Sequence, residues 1–172
     1  MPRRLPLNEL DARRIALLKP SALGDIVHSL PILHALRRRF PGAAITWVVS
    51  RPFEPLLRGH PDLTDTLAFD RRGGWRSMFS FAQELYRRRF DLVIDLQGLL
   101  RTGLMAGATR ATRRVGLSTA REGSHWFATD TVRVADADAM HAVDRYWLVA
   151  EALGAGHVPK TFHVPVDEMV LK

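Results

Sequence analysis

Three short apolar runs constrain the fold of this chain more than any other feature. "RIALLK" (Arg14–Lys19), "AAITWVVS" (Ala43–Ser50) and "FDLVIDLQG" (Phe90–Gly98) are too brief for core helices and show little polar alternation. Such runs are strands buried on both faces, the kind that parallel sheets use. Two further strands are expected at "TDTLAF" (Thr64–Phe69) and "RRVGL" (Arg113–Leu117), and "TAREGSHWFATDTVRV" is mixed loop and strand.

Helical segments fill the gaps. Leu33, Leu36 and Phe40 recur at helical spacing in Ser29–Phe40, with Ser29 as a cap and Pro31 at the helix start, so Asp25–His28 forms a separate turn. "RPFEPLLRG" is a short helix, and helices are expected over Trp75–Arg89, Leu99–Thr109 and Ala139–Gly154, the last stopped by its glycine. Strands separated by helices give an α/β fold, a doubly wound and mainly parallel Rossmann-like sheet. The expected organisation is a tail over 1–13, this domain over 14–154, and a linker over 155–172, where the pattern fades.

A chain of 172 residues with 47% hydrophobic and 25% charged residues suits one globular core. There is no cysteine, which excludes disulfides and thiolate metal sites. The first residues lack the apolar region of a secretory signal, and no stretch matches a membrane span, so a soluble cytoplasmic or membrane-surface protein is expected. The net charge is +7, and of the 25 basic residues only Lys19, Lys160 and Lys172 are lysines. Arginine grips phosphate and carboxylate with a planar fork, though a GC-rich genome also supplies it. The arginine triplets at Arg37–Arg39 and Arg87–Arg89 fall at helix ends and read as solvated or membrane-facing. Without interleaved aromatics, nucleic acid is not an expected partner.

Open α/β sheets bind ligands beyond the carboxyl ends of their strands. Four stretches lie there: Lys19–Asp25, Asp70–Arg76, Asp95–Arg101 and Leu117–Arg121. In "SALGD", Gly24 allows a tight turn and Asp25 begins a helix, so it reads either as a general base or as an N-cap. The loop "DRRGGWR" presents Arg71, Arg72 and Arg76 as a phosphate clamp or as a solvated surface. Gln97 and Arg101 after the "DLV" strand, and Arg121, are hydrogen-bonding candidates or ordinary turn residues. His141 touches the site or the core. Asp136 and Asp138 resemble a metal-holding pair, but Asp138 also suits a helix cap, and no metal site is expected. There is no dinucleotide fingerprint, P-loop or nucleophile elbow.

Together "LLKPSALGDIVHSLP", "DLVIDLQGLLRT", "TAREGS" and "HAVDRY" resemble, in order and spacing, the N-terminal half of the heptosyltransferases, which transfer heptose from ADP-heptose to lipopolysaccharide with inversion. The pattern of Lys19, Ser21, Gly24, Asp25, His28 and Pro31 carries most of that resemblance. It implies the acceptor-binding domain of a metal-independent GT-B enzyme without resident cofactor. Asp25 would be the general base. Arg71, Arg72, Arg76 and Arg121 would grip the phosphates and carboxylates of the Kdo2–lipid A acceptor, with Lys19, Ser21, Gln97, Arg101 and His141 completing the candidate set. The implied protein is a monomer, peripheral on the cytoplasmic face of the inner membrane. The donor half is expected to lie beyond this chain, leaving the 172 residues alone inactive. A related transferase with another acceptor sugar, or a non-catalytic binding domain of the same fold, are the alternatives.

Overall fold

The computed structural model describes residues 4–165. Six strands form one sheet: β1 (Arg14–Leu18), β2 (Ala44–Ser50), β3 (Asp65–Phe69), β4 (Leu92–Asp95), β5 (Arg113–Leu117) and β6 (Asp130–Val132). All are parallel, in the order β3-β2-β1-β4-β5-β6, the doubly wound arrangement expected. The helices are α1 (Leu23–His28), α2 (Leu30–Arg39), α3 (Gly74–Arg87), α4 (Leu100–Ala108) and α5 (Ala142–Ala152), with 3-10 turns at Leu7–Glu9, Arg51–Leu56 and Ser124–Phe127.

Both sheet faces are apolar because alternate strand residues each find a helix layer. Ile15, Leu17, Ile45, Trp47, Ile94 and Val115 meet Leu33 and Leu36 of α2 and Trp147 and Val149 of α5. Ala16, Leu18, Val48 and Val93 meet Phe81 and Leu85 of α3 and Met105 and Ala106 of α4. The segment before β1 is docked: Leu10 and Ala12 are buried, and Arg4 donates to the carbonyls of Thr112 and Thr129.

Strand placement follows the sequence closely, while local details differ. The chain does break between Asp25–His28 and the next helix, but at Ser29, with Pro31 in the first turn of α2. Ser29 does not cap α2. Its hydroxyl donates backward to the carbonyl of Asp25 at 2.7 Å, the i−4 bond that serine makes in place of a cap. Gly24 lies inside α1 with negative φ, so no left-handed turn is needed there. Residue Gly74, at φ +66°, opens α3, which therefore takes in Arg76 as well as Trp75. Helix α5 begins at Ala142 rather than Ala139. Its cap is His141, whose Nδ1 accepts from the Val143 amide, and not Asp138. Gly154, at φ +76°, ends the helix turn as expected.

In the first arginine triplet Arg38 is exposed, as expected, but Arg37 and Arg39 are structural rather than solvated. Arg37 donates to the carbonyls of Asp62, Pro41 and Ala43, and Arg39 to those of Leu153, Asn8 and Leu10. These carbonyls end turns and strands, and a five-donor guanidinium satisfies several at once. In the second triplet Arg88 pairs with Asp65 and Glu84, and Arg87 and Arg89 are exposed. Residues 155–165 of the expected linker contain no helix or strand; 166–172 lie outside the described residues.

Candidate functional site

The strand order reverses its direction of growth between β1 and β4, and the loops leaving these neighbours diverge to opposite sides. A crevice forms at such a switch point. Here it is a cavity of about 530 Å³ beyond the carboxyl ends of β1, β4 and β5, closed on one side by α5.

Lys19, the residue after β1, is 2% exposed. A buried ammonium needs compensating partners. Its Nζ lies 3.3 Å from Asp25 Oδ2, 3.5 Å from the Leu96 carbonyl and 4.8 Å from the centre of the Tyr146 ring. The other oxygen of Asp25 accepts from the Tyr146 hydroxyl at 3.3 Å, a long contact for this type of bond. Asp25 thus sits in the first turn of α1, three residues past the cap position at Ala22, and its side chain makes no capping bond. The carboxylate is held from two sides and remains 37% exposed toward the cavity.

The β4 side is built around Asp95. Its Oδ1 accepts from the amides of Gln97 and Gly98, both at 3.0 Å, and its Oδ2 from the Thr102 hydroxyl at 2.9 Å. Burial pushes this carboxyl up to about 6 from the usual 3.8, against the opposing pull of those hydrogen bonds and of Lys19. Gly98 adopts φ +64°, and a Cβ there would lie 3.0 Å from Ala120 Cα. Its carbonyl accepts from the Arg121 amide at 2.7 Å, tying the β5 loop to the β4 turn. Gln97 lines the cavity, and its Oε1 is buried without a hydrogen-bond partner among the described residues. A buried acceptor left without a partner is uncommon in a folded protein.

Of the expected site residues, Lys19, Asp25, Gln97 and Arg121 line one cavity. Ser21, Arg71, Arg72, Arg76, Arg101 and His141 do not. Arg71, Arg72 and Arg76 are exposed at the end of β3 and the start of α3, and Arg101 is exposed on α4. His141 caps α5 and meets the His28 ring edge-on at 5.0 Å. Sequence reasoning missed Tyr146 and Arg145, which come from α5 yet line the cavity. "HAVDRY" carries both, but inside a helix that follows the last strand by ten residues neither lies at a strand end, where site residues were sought. Among the described residues no group of three His, Asp or Glu side chains converges on a metal-sized site, and Asp136 and Asp138 are both exposed.

A doubly wound domain with a cavity at its switch point, lined by Lys19, Arg121 and Arg145 and by the acids Asp25 and Asp138, has the arrangement in which open α/β sheets bind ligands. The sequence profile of Glycosyltransferase family 9 (heptosyltransferase) matches residues 78–168. The lipopolysaccharide core heptosyltransferase OpsX of Haemophilus influenzae is 27% identical over 158 residues, covering 91% of this chain and 44% of that protein. Lipopolysaccharide heptosyltransferase 1 of Pseudomonas aeruginosa is 36% identical over 119 residues, covering 60% of this chain and 32% of that protein. The solved Escherichia coli heptosyltransferase WaaC with ADP superposes with a TM-score of 0.75 at 27% identity, over 88% of this chain and 51% of that one. The chain belongs to glycosyltransferase family 9, the heptosyltransferase family. It spans less than half the length of the curated relatives it matches.

Proposed function

We propose that this chain is the acceptor half of an inverting heptosyltransferase of lipopolysaccharide core synthesis, with Asp25 as its general base. The donor is ADP-heptose and the acceptor the phosphorylated Kdo2–lipid A core. The observation that carries the reading is the Asp25 carboxylate, held by Lys19 and Tyr146 at the mouth of the switch-point cavity.

In this reading an acceptor hydroxyl donates to a free lone pair of Asp25. As its oxygen bonds to the anomeric carbon from the face opposite ADP, the proton passes to Asp25, the bond to the diphosphate breaks, and ADP leaves with that electron pair. Attack from the opposite face inverts the anomeric centre. Lys19 and Tyr146 aim the carboxylate without occupying both lone pairs of either oxygen. Gln97, on the cavity wall, hydrogen-bonds a second acceptor hydroxyl through its side-chain amide, and Arg121 and Arg145 at the rim meet the acceptor's carboxylates. Arg71, Arg72 and Arg76 lie outside the cavity and suit phosphates farther along the acceptor. The reaction needs no resident metal or cofactor, and catalysis requires this chain together with a donor-binding half. Among the described residues no helix is long and apolar enough to cross a membrane, and this reading places the protein on the cytoplasmic face of the inner membrane as a peripheral protein.

The test is a calorimetric titration of the chain with the delipidated Kdo-phosphate core at low and high salt. Affinity should fall with salt and drop about tenfold in Arg121→Ala, the loss of one charge-assisted contact. Absent binding, or binding indifferent to both changes, contradicts the reading.

A further inference from the structure

Charge and apolar exposure concentrate on one flank of the molecule. Residues 70–89 and 99–110, which hold α3, α4 and their leading loops, carry eight arginines and two acids. That local net of +6 compares with +7 for the whole chain. One of the two acids, Glu84, is already engaged by Arg88.

The same flank carries most of the large apolar side chains that face solvent among the described residues. They are Trp75 (76% exposed), Phe79 and Tyr86 on α3, Leu100 and Leu104 on α4, and Trp126 (78% exposed) on the turn that follows β5. Elsewhere only Leu5, Leu23, Phe162 and Val164 are comparable. Trp75 with Phe79, and Leu100 with Leu104, are four apart, so each pair forms one outward stripe. The inward stripes, Phe81 with Leu85 and Met105 with Ala106, are spent on the core. Phe127 presses on Gly103 and Gly107 where a Cβ would come within 2.9 Å and 2.8 Å of its ring, which fixes the Trp126 turn against α4. Cations and rings interleave: the Arg76 guanidinium is 5.4 Å from the Trp75 ring centre, and that of Arg110 is 5.2 Å from the Tyr86 ring.

An exposed apolar patch of this kind marks an interaction site. Indole rings with arginines are the side chains that reside at the headgroup boundary, where the ring is half immersed and the cation meets phosphate. We infer that the outer flank formed by α3, α4 and the turn carrying Trp126 seats on an anionic lipid bilayer, its rings and leucines entering the headgroup boundary and its arginines meeting lipid phosphates. The inference rests on the acceptor reading for its purpose: α3 and α4 both begin at the carboxyl end of the sheet, so a bilayer on this flank brings the sugars of a lipid-anchored acceptor toward Asp25.

The test uses the chain with vesicles of phosphatidylcholine alone and of phosphatidylcholine mixed with phosphatidylglycerol, with no lipopolysaccharide present. Co-sedimentation should occur with the anionic vesicles, weaken with salt, and be far weaker with the neutral ones. Brominated lipid should quench tryptophan fluorescence; Trp47 and Trp147 are buried, so the quenched signal comes from Trp75 and Trp126. The double variant Phe79→Ser, Trp126→Ser should lower vesicle partitioning about a hundredfold, about tenfold per ring. Phe162→Ser, off the flank, should leave it unchanged. The double variant should still bind the delipidated acceptor, so vesicle loss with sugar binding intact reports on this flank alone. Loss of sugar binding with vesicle binding intact would instead count against the acceptor reading. Equal partitioning onto neutral vesicles, none onto either, or a double variant that partitions like wild type overturns the inference. So does a concentration-dependent dimer that the double variant abolishes, which would assign the flank to a second copy of the chain.

Discussion

Asp95 gives the chain a pH dependence that can be worked out in advance. Its carboxyl is 7% exposed and is raised by burial from 3.8 to about 6. A raised native value means that, between those two pH values, the folded state binds more protons than the unfolded one. Stability from this group is therefore fully present below pH 3.8 and declines as pH rises toward 6. The shift of just over two units corresponds to about 3 kcal/mol. Asp95→Asn removes the titration with little change of shape. Its side-chain oxygen can still accept from the Gln97 and Gly98 amides, and its NH2 can donate to Thr102 Oγ1. The other acids titrate alike in both proteins, so the difference between variant and wild type isolates Asp95. Urea denaturation of both at pH 4 and pH 7 should show that difference moving by about 2 kcal/mol in favour of Asn at pH 7, the part of the effect that develops above pH 4. A difference that does not change with pH would refute the placement of a carboxyl at the end of β4 whose burial outweighs its hydrogen bonds.

Two further substitutions probe the scaffold and the site floor. Gly98→Ala forces a left-handed conformation and brings Cβ to 3.0 Å from Ala120 Cα. It should cost about 1–2 kcal/mol in chemical denaturation and weaken acceptor binding through the displaced Arg121 loop. Arg39→Ala leaves three carbonyls without their donor. A cost of about 1–3 kcal/mol in thermal unfolding is expected, with acceptor affinity unchanged; a neutral result would mean that water replaces the guanidinium.

The strands were legible because burial on both faces leaves no room for polar alternation: "RIALL" and "LVID" announce a parallel sheet on their own. The site was half legible. Strand ends point to Lys19, Asp25, Gln97 and Arg121, since the fold class fixes where ligands bind. Tyr146 was not legible, because its partner Asp25 is 121 residues away and only the packing of α5 beside α1 joins them. Caps misled in the same way. Ser29 and Asp138 have favoured cap chemistry, but a cap also needs the right backbone position. His141, with extended φ and ψ directly before Ala142, has that position. Arg37 and Arg39 looked solvated, as Arg38 is, because most of their partners are carbonyls far away in the chain, at Asp62, Asn8, Leu10 and Leu153, which leave no trace in sequence.

The central claim is that Asp25 takes the acceptor proton. It is tested most directly by the steady-state rate of heptose transfer from ADP-heptose in the transferase that carries this acceptor half, compared for wild type and Asp25→Asn at saturating acceptor. Asparagine keeps the shape and the contact with Tyr146 but holds a lone pair too weakly basic to accept the proton. A general base contributes about 100-fold to 10,000-fold, so kcat should fall by that factor while acceptor affinity, measured separately, stays within a few-fold of wild type. A kcat within a few-fold of wild type would contradict the account and leave Asp25 only as the partner of a buried lysine.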